Sequence, residues 1–275
     1  MKIGVVGLGL IGGSFCRAIK AKTNHQCFGM DRDQKTLEDA LQVGAIDGIL
    51  EVSGLRECDL VIVSLHPKQT IAFLKEYAAE FKKGGIVMDV CGIKTAVVDA
   101  VDAMLRQAGV TFIGTHPMAG REFSGFSYSL PDLFEGASFI VTPTADTDEE
   151  KLETVKKLAE VLGFSQIVVT DSKTHDDTIA FTSQIAHVIS NAYVKIPTLQ
   201  NQSGFSAGSF QDLSRVAKLN EDMWTDLFFM NKAPLLYELD IIIGHLKEYR
   251  QALEQEDAER LRSLLRDGRI LKENA

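Results

Sequence analysis

The residue of this sequence best suited to proton chemistry is His116, in the run Gly114-Thr115-His116-Pro117-Met118-Ala119-Gly120. It directly follows the apolar run Val110–Thr115, which reads as a buried strand. In open parallel sheets, ligands bind beyond the carboxyl ends of the strands. An imidazole there titrates near neutrality and can take the proton of a substrate hydroxyl while the carbon beneath releases hydride. The structural alternative is a histidine that caps a strand end. A second set follows on one helix. Asp176, Ala180, Ser183 and His187 fall at spacings of 4, 3 and 4, so a regular helix places them on one face. Flanked by Ile179, Phe181, Ile185 and Val188, that stripe lines either a site or a solvated face. His175 reads as a residue of the helix start. Arg215 follows the Gly208-Ser209 loop, and its guanidinium suits bidentate recognition of a carboxylate, a solvated surface charge being the alternative. Trp224, the single tryptophan, reads on its own as core.

A nucleotide site is written at the N-terminus. The strand Lys2–Gly7 runs into Gly7-Leu8-Gly9-Leu10-Ile11-Gly12 and then a helix. Glycines at this spacing allow a tight turn and a close backbone approach to a pyrophosphate at the helix N-terminus. Asp31 ends the next strand, where a carboxylate reaches the hydroxyls of the adenine ribose. That carboxylate repels a 2′-phosphate and so selects NAD over NADP. Arg32 beside it either stacks on the adenine, is solvated, or reaches a 2′-phosphate. Ser64, within the predicted strand Asp59–Leu65, and Lys94 complete the expected cofactor-binding set, and no metal is expected.

The elements that must position these residues alternate in type up to about residue 170. Short Val- and Ile-rich runs at Lys2–Gly7, Gln26–Asp31, Asp59–Leu65, Ile86–Val90, Val110–Thr115, Ser138–Thr142 and Gln166–Thr170 read as strands buried on both faces. Helix-length segments at Gln34–Val43, Lys68–Phe81 and Thr95–Ala108 lie between them. This pattern implies an α/β class with an N-terminal Rossmann-type, doubly wound, mainly parallel sheet over residues 1–170. Residues 171–275 carry no strand signal and read as an all-helical domain for substrate binding and dimerisation. It opens with a helix at 172–195 capped by Asp171 or Ser172. A polar loop runs over Pro197–Gly208, and a long helix from about Asp222 to Gln255. Leu235, Leu236, Leu239 and Ile241–Ile243 give that unit several apolar faces, so a homodimer is expected.

Composition narrows the function class. The 275 residues carry a formal charge of -9, which argues against a nucleic-acid partner. No apolar stretch approaches the roughly 20 residues that span a bilayer, and the N-terminus reads as a strand rather than a leader. The four cysteines form no C-x-x-C pair, which fits free thiols in the cytoplasm.

Taken together these blocks resemble the prephenate/arogenate dehydrogenase family. The resemblance rests on Gly7–Gly12, on Asp89-Val90-Cys91-Gly92-Ile93-Lys94-Thr95 and on His116-Pro117-Met118-Ala119-Gly120. It continues through His175-Asp176 with Ser183–His187, the Phe210–Arg215 block and Met223-Trp224, so it covers nearly the whole chain. It implies NAD-dependent oxidative decarboxylation of prephenate to 4-hydroxyphenylpyruvate, in tyrosine biosynthesis, with arogenate as the alternative substrate. It further implies that His116 accepts the C4 hydroxyl proton and that Arg215 and His187 hold the substrate. Asp176 would pair with Arg215, and Trp224 would reach the neighbouring subunit's site. Gly208 and Gly92 are counted with the substrate-binding residues. Gly92 stands where many members carry serine, and Gln184 replaces a histidine of the frequent Ser-His-Leu-Pro-His run. Two other readings are a Rossmann dehydrogenase with a catalytic lysine and a non-catalytic NAD-binding sensor.

Overall fold

The computed structural model describes residues 1–274. Among them, eight strands form one sheet in the order β3-β2-β1-β4-β5-β6-β7-β8. They are β1 (Lys2–Val6), β2 (Gln26–Met30), β3 (Gly48–Ile49), β4 (Leu60–Val63), β5 (Ile86–Asp89), β6 (Thr111–Pro117), β7 (Ser138–Thr142) and β8 (Gln166–Val169). Every neighbouring pair is parallel except β6 and β7. The helices between them are α1 (Leu10–Lys22), α2 (Gln34–Gln42), α3 (Pro67–Glu76), α4 (Thr95–Gln107) and α5 (Glu149–Leu162). The two-residue β3 and the antiparallel β6–β7 pair are additions to the sequence reading.

Side chains alternate across the strands, and each face builds its own core. Ile3, Val5, Leu60 and Ile62 pack with Phe15, Phe134 and Leu158 on the side of α1 and α5. Val6, Val61 and Val63 pack with Leu74, Val97 and Val101 on the side of α3 and α4. Local signals set the helix ends. Asp148 caps α5 through the Glu150 and Lys151 amides, and Gly163 closes it at φ 104°, a left-handed turn that suits glycine.

From residue 172 onward the described chain is helical. α6 (Ser172–Ile179) begins at Asp171, whose carboxylate accepts from the Thr174 amide. It passes through a π-turn (Ala180–Gln184) into α7 (Ile185–Tyr193). The predicted continuous helix 172–195 therefore contains one widened turn. The loop after it holds a 3₁₀ turn at Pro197–Asn201 and ends at α8 (Gly208–Ser214). The single helix expected over 222–255 is two, α9 (Glu221–Met230) and α10 (Lys232–Glu254), followed by α11 (Ala258–Glu273). Asn231 breaks them apart. Its buried side chain donates to the Asp176 carbonyl oxygen at 2.9 Å and to Gln184 Oε1 at 2.8 Å, which ties the break to α6 and the π-turn. No helix of the described chain is long and apolar enough to cross a membrane.

Candidate active site

A cleft of about 990 Å³ opens at the carboxyl ends of β1, β2, β4 and β5. Gly7–Ile11, Asp31, Arg32, Ser64 and Gly92 border it, with Met223 and Leu227 of α9 on the far wall. The glycine turn fits a dinucleotide. Gly7 sits at φ 87°, and a Cβ there would overlap the Ser64 carbonyl oxygen; a Cβ on Gly12 would overlap the Gly7 carbonyl oxygen. Gly9, by contrast, has nothing within 4 Å, so backbone faces open space where a pyrophosphate would lie. Asp31 Oδ2 accepts from the Leu8 amide at 2.7 Å and Oδ1 from the Asp33 amide at 2.9 Å. The carboxylate thus braces the glycine turn as well as facing the cleft. For Asp31→Ala, NAD affinity is expected to fall about 10–100-fold, the cost of one or two charge-assisted hydrogen bonds, and the NAD/NADP preference to narrow. Titration of both cofactors by fluorescence checks this; equal affinity of the unmutated protein for the two would refute the role of Asp31.

His116 lies inside β6, one residue from its end, and not beyond the strand as the sequence reading has it. The strand is longer because His116 and Pro117 pair with Ile140 and Phe139 of β7. Its ring bridges two regions. Nε2 lies 3.7 Å from the position of a Cβ on Gly92, on the edge of the cleft. Nδ1 lies 2.9 Å from Nε2 of His175, and His175 Nδ1 lies 2.7 Å from Asp176 Oδ1. His175 and Asp176 are buried. Burial lowers the His116 pKa well below the ordinary imidazole value. His175 and Lys94 act in the same direction, and the Asp176 carboxylate opposes them. Burial works to raise Asp176, but hydrogen bonds from His175, Thr95 and Lys94 outweigh it and hold the carboxyl below the usual range.

Two expectations fail here. Asp176 does not pair with Arg215; its oxygens are taken by the Lys94 amide at 2.7 Å, the Thr95 amide at 2.8 Å and His175. Lys94 is not on the cofactor cleft. Its side chain is fully buried, and its ammonium donates to Asp89 Oδ2 and, at 2.6 Å, to the Thr115 carbonyl oxygen. His175, read as a helix-start residue, is instead the direct neighbour of His116. A histidine followed by an aspartate was the available signal, but its partner lies 59 residues away in sequence.

A second group gathers around His187. Its ring stacks on Trp224 with centroids 3.8 Å apart, and its Nδ1 lies 3.0 Å from the Ser183 carbonyl oxygen. Burial lowers its pKa, the Ser183 hydrogen bond opposes this, and the nearby charge of Arg215 lowers it further. Arg215 itself is exposed. Trp224 packs on His187 of its own chain. Gly208 is exposed at the first residue of α8, and open space surrounds the position a Cβ would take there. α9 links the two groups: it carries Trp224 against His187 and, one turn on, Leu227 within 4.0 Å of a Cβ at Gly92.

Residues 15–168 match the family model described as the nucleotide-binding domain of prephenate dehydrogenase, and residues 171–267 match its dimerization domain. The chain belongs to the prephenate dehydrogenase family. It is accordingly an NAD-dependent dehydrogenase. Prephenate dehydrogenase of Bacillus subtilis is 33% identical over 271 residues, covering 94% of this chain and 71% of the relative. A crystal structure of A. aeolicus prephenate dehydrogenase with hydroxyphenyl propionate and NAD+ superposes with a TM-score of 0.89 at 27% identity, covering 100% of this chain and 98% of that one. Arogenate dehydrogenase of Synechocystis superposes with a TM-score of 0.86 at 27% identity, covering 100% and 99%. Similar proteins thus carry the names of both substrates.

Proposed function

We propose that this chain catalyses the NAD-dependent oxidative decarboxylation of prephenate to 4-hydroxyphenylpyruvate, with His116 as the base. The observation that carries the reading is His116 Nε2 facing Gly92 on the rim of the nucleotide cleft. The glycine turn Gly7–Gly12 and Asp31 would hold NAD, which would supply the acceptor for the hydride from C4 of the ring. His116 Nε2 takes the C4 hydroxyl proton as that hydride leaves. Loss of the ring carboxylate as CO2 aromatises the ring, and the C4 oxygen takes the proton back. With glycine at position 92, no side-chain hydroxyl stands between His116 Nε2 and the substrate alcohol. Arg215 and His187 hold the substrate from the helical side, the guanidinium on a carboxylate and the imidazole, backed by Trp224, against the ring.

In this reading residues 1–170 are the nucleotide-binding unit and 171–275 the helical unit for substrate and dimer formation. The exposed apolar side chains of the second unit, including Phe205, Phe229, Tyr237 and Leu246, are those a homodimer would cover. The site of action is the cytoplasm.

Formation of NADH followed at 340 nm with prephenate and arogenate in parallel tests the reading. Turnover is expected with prephenate as the better substrate. Arg215→Ala is expected to raise the KM for prephenate about 10–100-fold, the loss of one charge-assisted contact, and to leave NAD affinity unchanged. Turnover of neither acid, or a change confined to NAD affinity in the variant, overturns the corresponding assignment.

A further inference from the structure

We propose that His175 is a positioning residue for this reaction: backed by Asp176, it fixes the His116 proton on Nδ1 and so presents the unprotonated Nε2 to the cleft. The inference rests on the reading of His116 as the base. It follows from the order of donors and acceptors. The Asp176 carboxylate accepts from the Lys94 and Thr95 amides and is held in its ionised form. An ionised carboxylate only accepts, so the contact at 2.7 Å places a proton on His175 Nδ1. In neutral imidazole the other nitrogen is then an acceptor. His175 Nε2, at 2.9 Å, must receive its hydrogen bond from His116 Nδ1. The remaining nitrogen of His116 therefore carries a lone pair, and it is the one beside Gly92. The opposite tautomer of His116 would set two lone pairs against each other across that same contact.

The chain of contacts is anchored at both ends of the helical start. Asp176 is bound through its side chain to the first residues of α4 and through its carbonyl oxygen to Asn231. The His175 ring is thus held between Asp176 and His116 of β6 and cannot turn without breaking those two contacts. Two variants separate tautomer control from packing. His175→Gln offers an amide oxygen near the position of Nε2 and keeps an acceptor for His116 Nδ1. His175→Leu fills similar space and keeps none.

The experiment is ¹⁵N NMR of histidine-labelled protein together with steady-state kinetics of both variants. The His116 signal is assigned by its loss in His116→Asn. The unmutated protein is expected to show His116 protonated on Nδ1, and His175→Gln to keep that tautomer and most of kcat. His175→Leu is expected to lose the tautomer and to lower kcat about 10–100-fold, with KM and NAD affinity little changed. A His116 proton on Nε2 in the unmutated protein, or equal loss of kcat in the two variants, overturns the proposal. The tautomer is read without turnover. If neither prephenate nor arogenate is a substrate, the assignment of function fails while the tautomer result stands on its own.

Discussion

In the His116→Asn enzyme, kcat falls by about 10²–10⁴-fold while the protein stays folded and binds NAD and prephenate nearly as before. That range is the usual contribution of a general base. Asparagine retains a polar group in a similar volume and removes the titrating nitrogen. The pH profile sharpens the test. Nε2 works only when unprotonated, so kcat falls as pH drops through the His116 pKa. An ordinary histidine would put that acid limb near about 6.5. Burial, His175 and Lys94 lower the pKa well below this, so the limb of the unmutated enzyme is displaced to more acidic pH. In His116→Asn it disappears. Substantial turnover in the variant, with the limb in place, would assign the base elsewhere, first to His187.

Lys94→Met is expected to destabilise the protein by about 3–5 kcal/mol, read as a lowered urea midpoint. Lys94 and Asp89 form an ion pair with no exposed side-chain surface. Methionine fills the space but leaves the Asp89 carboxylate buried without its cation, and breaking such a pair from one side costs this much. The carboxylate keeps hydrogen bonds from the Cys91 and Thr115 amides, which places the expectation toward the lower end. A second effect separates Lys94 from a purely structural cation. Its charge is one of the causes that lower the His116 pKa, so the acid limb of the surviving enzyme should move upward, toward the ordinary imidazole range. An unchanged midpoint and an unchanged limb would together deny the pair any role.

Much of the sheet was legible because strands buried on both faces leave uninterrupted Val and Ile runs, as Leu60–Val63 does. β3 was not, because Gly48–Ile49 is too short to show any period. The glycine turn and Asp31 were legible because that chemistry is local. His116 was legible for the same reason. Its partner was not: whether a histidine at a helix start faces solvent or another histidine depends on how α6 packs against β6, and no local pattern encodes that. Lys94 misled for the opposite reason. A lysine just past a strand end looks like a cofactor-binding residue until Asp89, five residues earlier, is seen to claim it in the interior. The break at Asn231 did leave a trace, since Pro234 belongs to the first turn of a helix rather than to the middle of one.

The π-turn between α6 and α7 acts as a phase adjuster. Within 180–184 the helix holds a wider turn than a regular one. A regular α-helix advances about 100° per residue. Removing one residue here would restore the regular winding and rotate everything downstream by about that angle. Asp176 lies upstream of the adjustment and His187 downstream, so the two are set independently: the first against the start of α4, the second against Trp224. One continuous stretch of chain can therefore serve the base and the substrate-holding group at once. The angle between them can change by inserting or deleting a single residue, without redesign of either contact.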